Sequence, residues 1–560
     1  MTGKRPEVPP AAPELPPDPE RRRVLGGLAL AGAALAVGGC QSVPPAPRAD
    51  ESDAAFDARL REAIRHVVVI YAENRSFNNL FADFPGVQRP LSALRPEDCL
   101  QRDRDGRVLD VLPPIWGGLV PHEQTVRHRR YKIGEHDLTG LANRPWPLRT
   151  PDGEPLPQGV VTRDLTHRFY ANQLQINGGR NDGFVAWGDS GAMVMGYYAD
   201  NAVNLRLWQL ARQYTLCDNF FMGAFGGSFL NHQYLVAAQP PVFPDADRSP
   251  AKMQIAQVEG DDPAGIRLKL ADDSPKSAMQ GPPKYASRTA LTPDFFAVDT
   301  MGPPYAPGFT TDPADPRRAD PASPTTLVAQ QHRTIGDALS ERGVDWAWYA
   351  GGWQLALEGR GDVGVSADFP GRPNFQPHHQ PLNYFTQFAP GSAARERHLR
   401  DGGVGETAQT NRFLADLAAG RLPTVAFYKP QGDLNMHAGY ADVDAGDRHI
   451  AAIVDALQRS PQWPHTLVII TVDENGGWWD PVAPPKGDRW GPGTRVPALI
   501  VSPHAKKGFV DHTVYDTGSI LRFLTRRFGL AKLPGLALRE QAMRAAGGVA
   551  PGDLTAALEL

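Results

Sequence analysis

The sequence predicts an α/β fold with a mostly parallel, doubly wound central sheet, and three observations carry that expectation. Apolar runs rich in β-branched residues recur at His66–Tyr71, Thr424–Tyr428, Thr466–Val472 and Ala498–Val501. Such runs suit strands buried on both faces. Between the second and third, Ile450, Ile453, Val454 and Leu457 fall at helical spacing, and strands alternating with helices argue for a parallel sheet. The first and third runs also end alike, in Glu73-Asn74 and in Asp473-Glu474. Ligands of open α/β sheets bind beyond the carboxyl ends of the strands, so both pairs would meet at one edge.

A chain of 560 residues can bury one large domain with insertions, or two domains. A net charge of -4 with 21% charged residues gives no basic excess, so nucleic acid is not an expected partner. The 54 prolines and 56 glycines imply long loops. Residues 1–39 read as an export signal. Arg21, Arg22 and Arg23 precede a small apolar run, Val24–Val37, whose 14 residues are too few to span a bilayer. Paired arginines in that place resemble a twin-arginine signal, and Val37-Gly38-Gly39-Cys40 resembles a lipobox that would leave Cys40 lipidated. A buried helical hairpin is the competing reading, but the arginines have no partners nearby. Residues 40–52 are then a Pro-rich tether. Gln41 is not an aspartate retention signal, so the expectation is a periplasmic or surface-facing lipoprotein of the outer membrane. In an oxidising compartment Cys99 and Cys217 could pair, or they could remain two buried thiols.

The folded body is expected over 53–540, with a C-terminal tail at 541–560. Phe56, Leu60, Ala63 and Ile64 give an entry helix, and Ser76 is a candidate cap for a helix through Phe77, Leu80 and Phe81. Residues 83–160 lack sustained periodicity and read as a long excursion. A helix is expected from Asp164 to the Gly178-Gly179 stop, then a strand at Tyr214–Cys217. A glycine-rich turn, 223–227, leads into a helix over Phe229–Ala238 and places Ser228 at its start. A Pro-rich, weakly periodic insertion containing some β structure is expected at 240–325. A helix at 326–342 and a strand at Trp346–Tyr349 follow.

The acids and amide at the two strand ends, Glu73, Asn74, Asp473 and Glu474, offer hard oxygen ligands to a divalent cation whose identity they do not fix. The alternative is two unrelated polar turns, which must explain one arrangement twice. His167, His378, His379 and His437 each read singly as ordinary surface or core histidines, but jointly they supply groups that bind phosphate oxygens and protonate a leaving oxygen. Ser228 reads either as a helix cap or as a nucleophile activated by a metal and a helix start. No GxSxG motif compels a serine esterase.

Seven segments in order, ENRSFNNLF, INGGRNDGF, GGSFLNHQY, the His378-His379 pair, MHAGYADVDAGD, VDENGGWWDPV and GTRVPALIVSP, resemble motifs of bacterial phosphoesterases. That family comprises acid phosphatases and phospholipases C acting on phosphatidylcholine, and the resemblance spans about residues 66–503. It implies an alkaline phosphatase-like α/β sandwich with one metal-centred site. It further implies Glu73, Asn74, Asp473, Glu474 and Ser228 as metal ligands, Ser228 as nucleophile, and His167, His378, His379 and His437 around the phosphoryl group. Serine in GGSFLNHQ resembles the acid phosphatase branch, so small phosphomonoesters are the expected substrates, with His167 as proton donor and an optimum below neutral pH. Phospholipid cleavage is the nearest alternative, since a lipid anchor and Trp478-Trp479 suit membrane substrates, although paired tryptophans also suit a core. A non-catalytic lipoprotein binding metal or phosphate is the other.

Overall fold

The structure is a computed structural model and describes residues 53–360 and 375–560; the export signal, Cys40 and the tether lie outside the described residues. Its centre is an eight-stranded sheet. In chain order the strands are β1 (His66–Ala72), β2 (Thr215–Cys217), β3 (Trp346–Gly351), β4 (Leu399–Gly403), β5 (Val425–Lys429), β6 (Thr466–Val472), β7 (Ala498–Val501) and β8 (Phe509–Asp511). Their spatial order is β8-β2-β7-β6-β1-β5-β3-β4. All neighbours are parallel except where β7 meets β6 and β2. The expected α/β class with a mostly parallel sheet is therefore what is observed, with helices such as Arg206–Gln213 and Ile335–Glu341 packed against its strands.

The strand β7 runs backwards for a simple reason. Residues 473–497 stay at the carboxyl edge of the sheet, so the chain re-enters from that edge. An apolar run such as Ala-Leu-Ile-Val carries no sign of its direction. Strands β4 and β8 carry little apolar signal, being short and placed at the two edges.

The sheet fixes the site through register. In the β1–β6 pair, Val67 lies opposite Leu467 and Ala72 opposite Val472, so both strands stop together. The turns beyond them are then tied to each other. Asn74 N–H donates to Asp473 Oδ1 (3.1 Å), and Arg75 N–H donates to the Glu474 carbonyl (3.0 Å). Asn74 adopts φ 54°, a left-handed conformation that asparagine tolerates better than most residues. Opposite it, Gly476 has no room for a side chain, since a Cβ would lie 2.4 Å from the Asn74 carbonyl oxygen.

Several expected elements are shifted. Residues 164–168 are not helical: the helix runs Phe169–Ile176, and Arg168 before it is extended (φ -100°, ψ 156°). The 326–342 helix is confined to Ile335–Glu341, started by a Thr334–Asp337 capping box. The 83–160 excursion contains a hairpin, Val120–Val126 with Arg129–Ile133, and 240–325 is built from isolated bridges and 3-10 turns. Residues 541–560 are not free of the body, because Met543, Leu554 and Ala557 are buried and Leu558 bridges Ala505. Cys99 and Cys217 are both free and buried, so they do not pair. Trp478 and Trp479 are buried too, with Trp479 Nε1–H donating to the Asn181 carbonyl. Among the described residues no helix is long and apolar enough to cross a membrane.

Asp480 anchors the second turn. Its carboxylate accepts from Arg495 Nε (3.0 Å), Asn78 N–H (3.0 Å) and Val482 N–H (2.9 Å), all out of water. Removing it would strand a buried guanidinium. Asp480→Ala is expected to lower unfolding free energy by about 3–5 kcal/mol, read from urea melts, and a loss under about 1 kcal/mol would refute this account of the turn.

Candidate active site

Ser228 is the first residue of the helix Ser228–Ala237, and Gly227 before it holds the cap position. The serine side chain therefore does not cap. It turns toward three oxygens, Glu73 Oε2 (3.1 Å), Glu474 Oε1 (3.3 Å) and Asn74 Oδ1 (3.4 Å). One hydroxyl has one proton and can satisfy only one of them at a time. The remaining oxygen–oxygen approaches call for a positive charge.

The acids are all out of water. Glu73, Asp473 and Glu474 are fully buried. Asp473 Oδ1 accepts from the N–H of Asn74 and of Glu474 (2.8 Å), while Oδ2 makes no hydrogen bond among the described residues and faces the His232 ring at 3.6 Å. Glu474 Oε2 accepts from Gly476 N–H (2.5 Å). Burial and then the neighbouring Glu73 charge push the Asp473 carboxyl well above the usual range, and burial with Asp473 does the same to Glu474. Burial also opposes ionisation of Glu73, but Lys429 and then His379 outweigh it and hold that carboxyl well below the usual range. Lys429 Nζ lies 2.5 Å and His379 Nε2 2.7 Å from Glu73 Oε1. Three carboxylates thus share one lysine, and an oxygen-rich cluster of this kind suits a divalent cation. Glu73, Asn74 and Glu474, three of the ligands expected from the sequence, face the Ser228 hydroxyl there, with Asp473 tied to Asn74 beside them.

The histidines divide into two groups. His167, His378 and His437 line a cavity of about 580 Å³ that reaches Ser228. His167 Nε2 is 3.7 Å from Glu474 Oε1, and the His167 and His437 rings meet edge to face at 5.7 Å. His379 lies instead behind Glu73 and away from the cavity lining. Burial, then Lys429, lowers its pKa to about 4, so it meets Glu73 as a neutral ring. The extended stretch 164–168 is what brings His167 in: Thr166 N–H donates to Asp189 (2.9 Å), and Gly227 fits against the His167 carbonyl, where a Cβ would lie at 2.8 Å. His437 is placed by Arg75, whose buried guanidinium donates to the Met436 carbonyl through Nη2 (2.8 Å) and Nε (3.1 Å).

Two residues of the site escaped the sequence reading. Lys429 ends β5, and a lysine closing an apolar strand beside two acid-ended strands was a usable signal. His232 lies four residues after Ser228, its ring nitrogen 2.8 Å from the Ser228 carbonyl, and its ring stacks over His379 at 5.8 Å. That helical spacing was legible in GGSFLNHQY. Alternative ligand groups are Glu73-His378-His379, Glu73-His232-Asp473 and Asp164-His167-His437.

A family model described as the phosphoesterase family matches residues 64–531. Non-hemolytic phospholipase C of Pseudomonas aeruginosa is 30% identical over 182 residues, covering 27% of this chain and 26% of that protein. Phospholipase C B of Mycobacterium tuberculosis is 24% identical over 505 residues, covering 83% of this chain and 74% of that one. The match thus spans about a quarter of the length of the first relative. A solved alkaline phosphatase superfamily protein from Vibrio parahaemolyticus overlaps 62% of this chain and 63% of its own at 12% identity and a TM-score of 0.28.

The charge balance has a thermal consequence. Protons held by Asp473 and Glu474 stabilise the metal-free fold at low pH, and that stability is lost as pH rises through their raised values. A divalent cation replaces the protons. Metal-stripped protein is therefore expected to gain more in Tm from added divalent cations at pH 8 than at pH 5, by differential scanning fluorimetry. No gain with magnesium, calcium, manganese, iron or zinc at either pH would eliminate the metal site.

Proposed function

The chain belongs to the phosphoesterase family, and from that premise we propose that it is an acid phosphatase that hydrolyses phosphomonoesters through Ser228. The observation that carries this reading is the Ser228 hydroxyl, aimed at Glu73, Glu474 and Asn74 on the floor of a cavity that His167, His378 and His437 also line. We further propose that the N-terminal signal exports it and that lipid on Cys40 holds it at the outer membrane.

In this mechanism the phosphoryl group sits between Ser228 and the cavity histidines. One divalent cation held by Glu73, Asn74, Asp473 and Glu474 would supply positive charge that strengthens the serine as a nucleophile. Ser228 Oγ passes its proton to the facing Glu474 Oε1 and attacks phosphorus in line with the ester oxygen, so an Oγ–phosphorus bond forms as the ester bond breaks. His167 Nε2 gives the departing oxygen its proton. His378 and His437 donate to the phosphoryl oxygens, where charge is held during transfer. Water, deprotonated by His167, then attacks phosphorus, the Oγ–phosphorus bond breaks as Ser228 recovers its proton from Glu474, and phosphate leaves. Lys429 and His379 do not touch the substrate; they fix Glu73.

A second reading is supported by the names of the relatives. The protein from M. tuberculosis, matched along 83% of this chain, is a phospholipase C, so diester cleavage is the alternative. Serine at 228, in a segment resembling the acid phosphatase branch, favours the monoester.

Rapid acid quench of metal-replete protein with p-nitrophenyl phosphate, read by intact mass, is expected to give a phosphoryl adduct on Ser228. Ser228→Ala is expected to lose adduct and turnover together, by about 10²-fold or more in kcat. Normal turnover by the variant would sink the serine mechanism, faster cleavage of phosphatidylcholine than of monoesters would move the protein to the lipase reading, and no turnover of either would leave a binding lipoprotein.

The pH profile follows from the cavity. Burial, then the adjoining His379 ring, lowers the pKa of His378 well below its ordinary value, and burial lowers that of His437. Imidazolium that binds phosphate exists only below those values, so kcat/KM is expected to fall as pH climbs through an apparent pKa under about 6.5. A profile rising through about pH 9 would contradict it.

A further inference from the structure

The cavity has a mouth as well as a floor, and the insertion 240–325 builds it. Arg288 and Asp299 of that insertion line the same cavity as Ser228 and as the 164–168 stretch that carries Arg168. Three acids also line it: Asp189 and Asp299 are held by hydrogen bonds, whereas Asp164 Oδ1 has none among the described residues. Asp189 takes Arg163 Nη2 (3.2 Å), the Ser190 hydroxyl (2.7 Å) and Thr166 N–H. Asp164 faces His167 Nδ1 at 3.6 Å. Asp299, only 8% exposed, accepts from Phe169 N–H (3.0 Å) on Oδ1 and from the Thr289 hydroxyl (2.6 Å) on Oδ2.

Those last two bonds fall on the residues that follow Arg168 and Arg288. One buried carboxylate thereby clamps both arginine-bearing segments together at the mouth. The guanidiniums themselves are exposed, and neither makes a hydrogen bond or ion pair with any described residue. Arg163, which lines the neighbouring stretch, is by contrast paired with Asp189. A pair of open guanidiniums over a cavity already equipped for one phosphoryl group has the charge and the donor geometry for a second anion.

We propose that Arg168 and Arg288 form an anion subsite at the mouth of the Ser228 cavity, selecting phosphomonoesters whose leaving group carries a carboxylate or a second phosphate. The subsite rests on the phosphomonoesterase reading for its catalytic meaning. It supplies what the floor cannot, since the floor residues see only the transferred phosphoryl group. Positive charge at the rim also raises the local concentration of polyanionic substrates, an effect that salt weakens.

Two matched compounds test it. Glycerol 2-phosphate and 2-phosphoglycerate present the same phosphoryl group and differ by a hydroxymethyl against a carboxylate. Wild type is expected to prefer 2-phosphoglycerate in kcat/KM. Arg168→Gln and Arg288→Gln are each expected to lower the ratio of the two kcat/KM values by roughly tenfold, with Arg→Lys at either position retaining part of it. Calorimetry on metal-loaded Ser228→Ala protein reads the same preference as a ratio of Kd values, without turnover. A ratio that neither glutamine variant moves, in kinetics or in binding, overturns the subsite. Absence of turnover by wild type together with a Kd ratio that both variants reduce leaves the subsite standing and removes the phosphatase reading instead.

Discussion

Three carboxylates buried around one serine, with a single lysine among them, are the constraint on which the remainder of this molecule depends. Glu73, Asp473 and Glu474 come from two neighbouring parallel strands whose ends are in register, so no local loop movement can separate them. Burying like charges in this way opposes folding, and each uncompensated ion in a dry interior costs several kcal/mol. The arrangement persists because the surrounding structure over-determines it. Backbone N–H groups fill three of the carboxylate acceptor positions, and Lys429 and His379 take Glu73. The strained φ of Asn74 belongs to the same bargain: a left-handed turn is what puts its N–H on Asp473 while its side-chain oxygen stays near Ser228.

The supporting shell spreads outward from those two turns. Arg75 reaches the loop of His437, Ser76 caps its own short helix and donates to the Trp479 carbonyl, and Asp480 joins Arg495 to the start of that helix. Each of these is a buried polar group satisfied by a partner distant in sequence. The turn after β1 and the turn after β6 are consequently a single rigid unit, and a unit of that kind can hold reacting groups to the tolerance that in-line displacement demands.

How much of this was legible follows from which interactions are local. Long apolar runs such as Thr466–Val472 announce their strands, and the repeated strand-then-acid pattern places both halves of the acid cluster at one edge of the sheet. The Ser76 cap was local and therefore visible as well. The direction of β7 was not, because direction depends on where a 25-residue connection returns, and neither were β4 and β8, whose short, polar sequences pair only because an edge is available. The cap role open to Ser228 failed for a related reason: Gly227 already holds that position, leaving the hydroxyl to long-range oxygens. His379 looked like its neighbour His378 in sequence, yet one lines the cavity and the other backs a carboxylate, a difference only packing decides.

The site is assembled from two kinds of chain, and the division has a physical logic. Its floor comes from strand ends and the first turn of one helix, elements whose positions are fixed by a ladder of backbone hydrogen bonds. Its mouth comes from 164–168 and from the bridge-and-turn insertion 240–325, segments held by side-chain clamps such as Asp299. Geometry set by a sheet edge is shared with every other strand and resists change. Geometry set by a clamp can be altered by one or two substitutions without disturbing the core. On the proposed mechanism, chemistry would reside where the fold is stiffest and substrate choice where it is most replaceable.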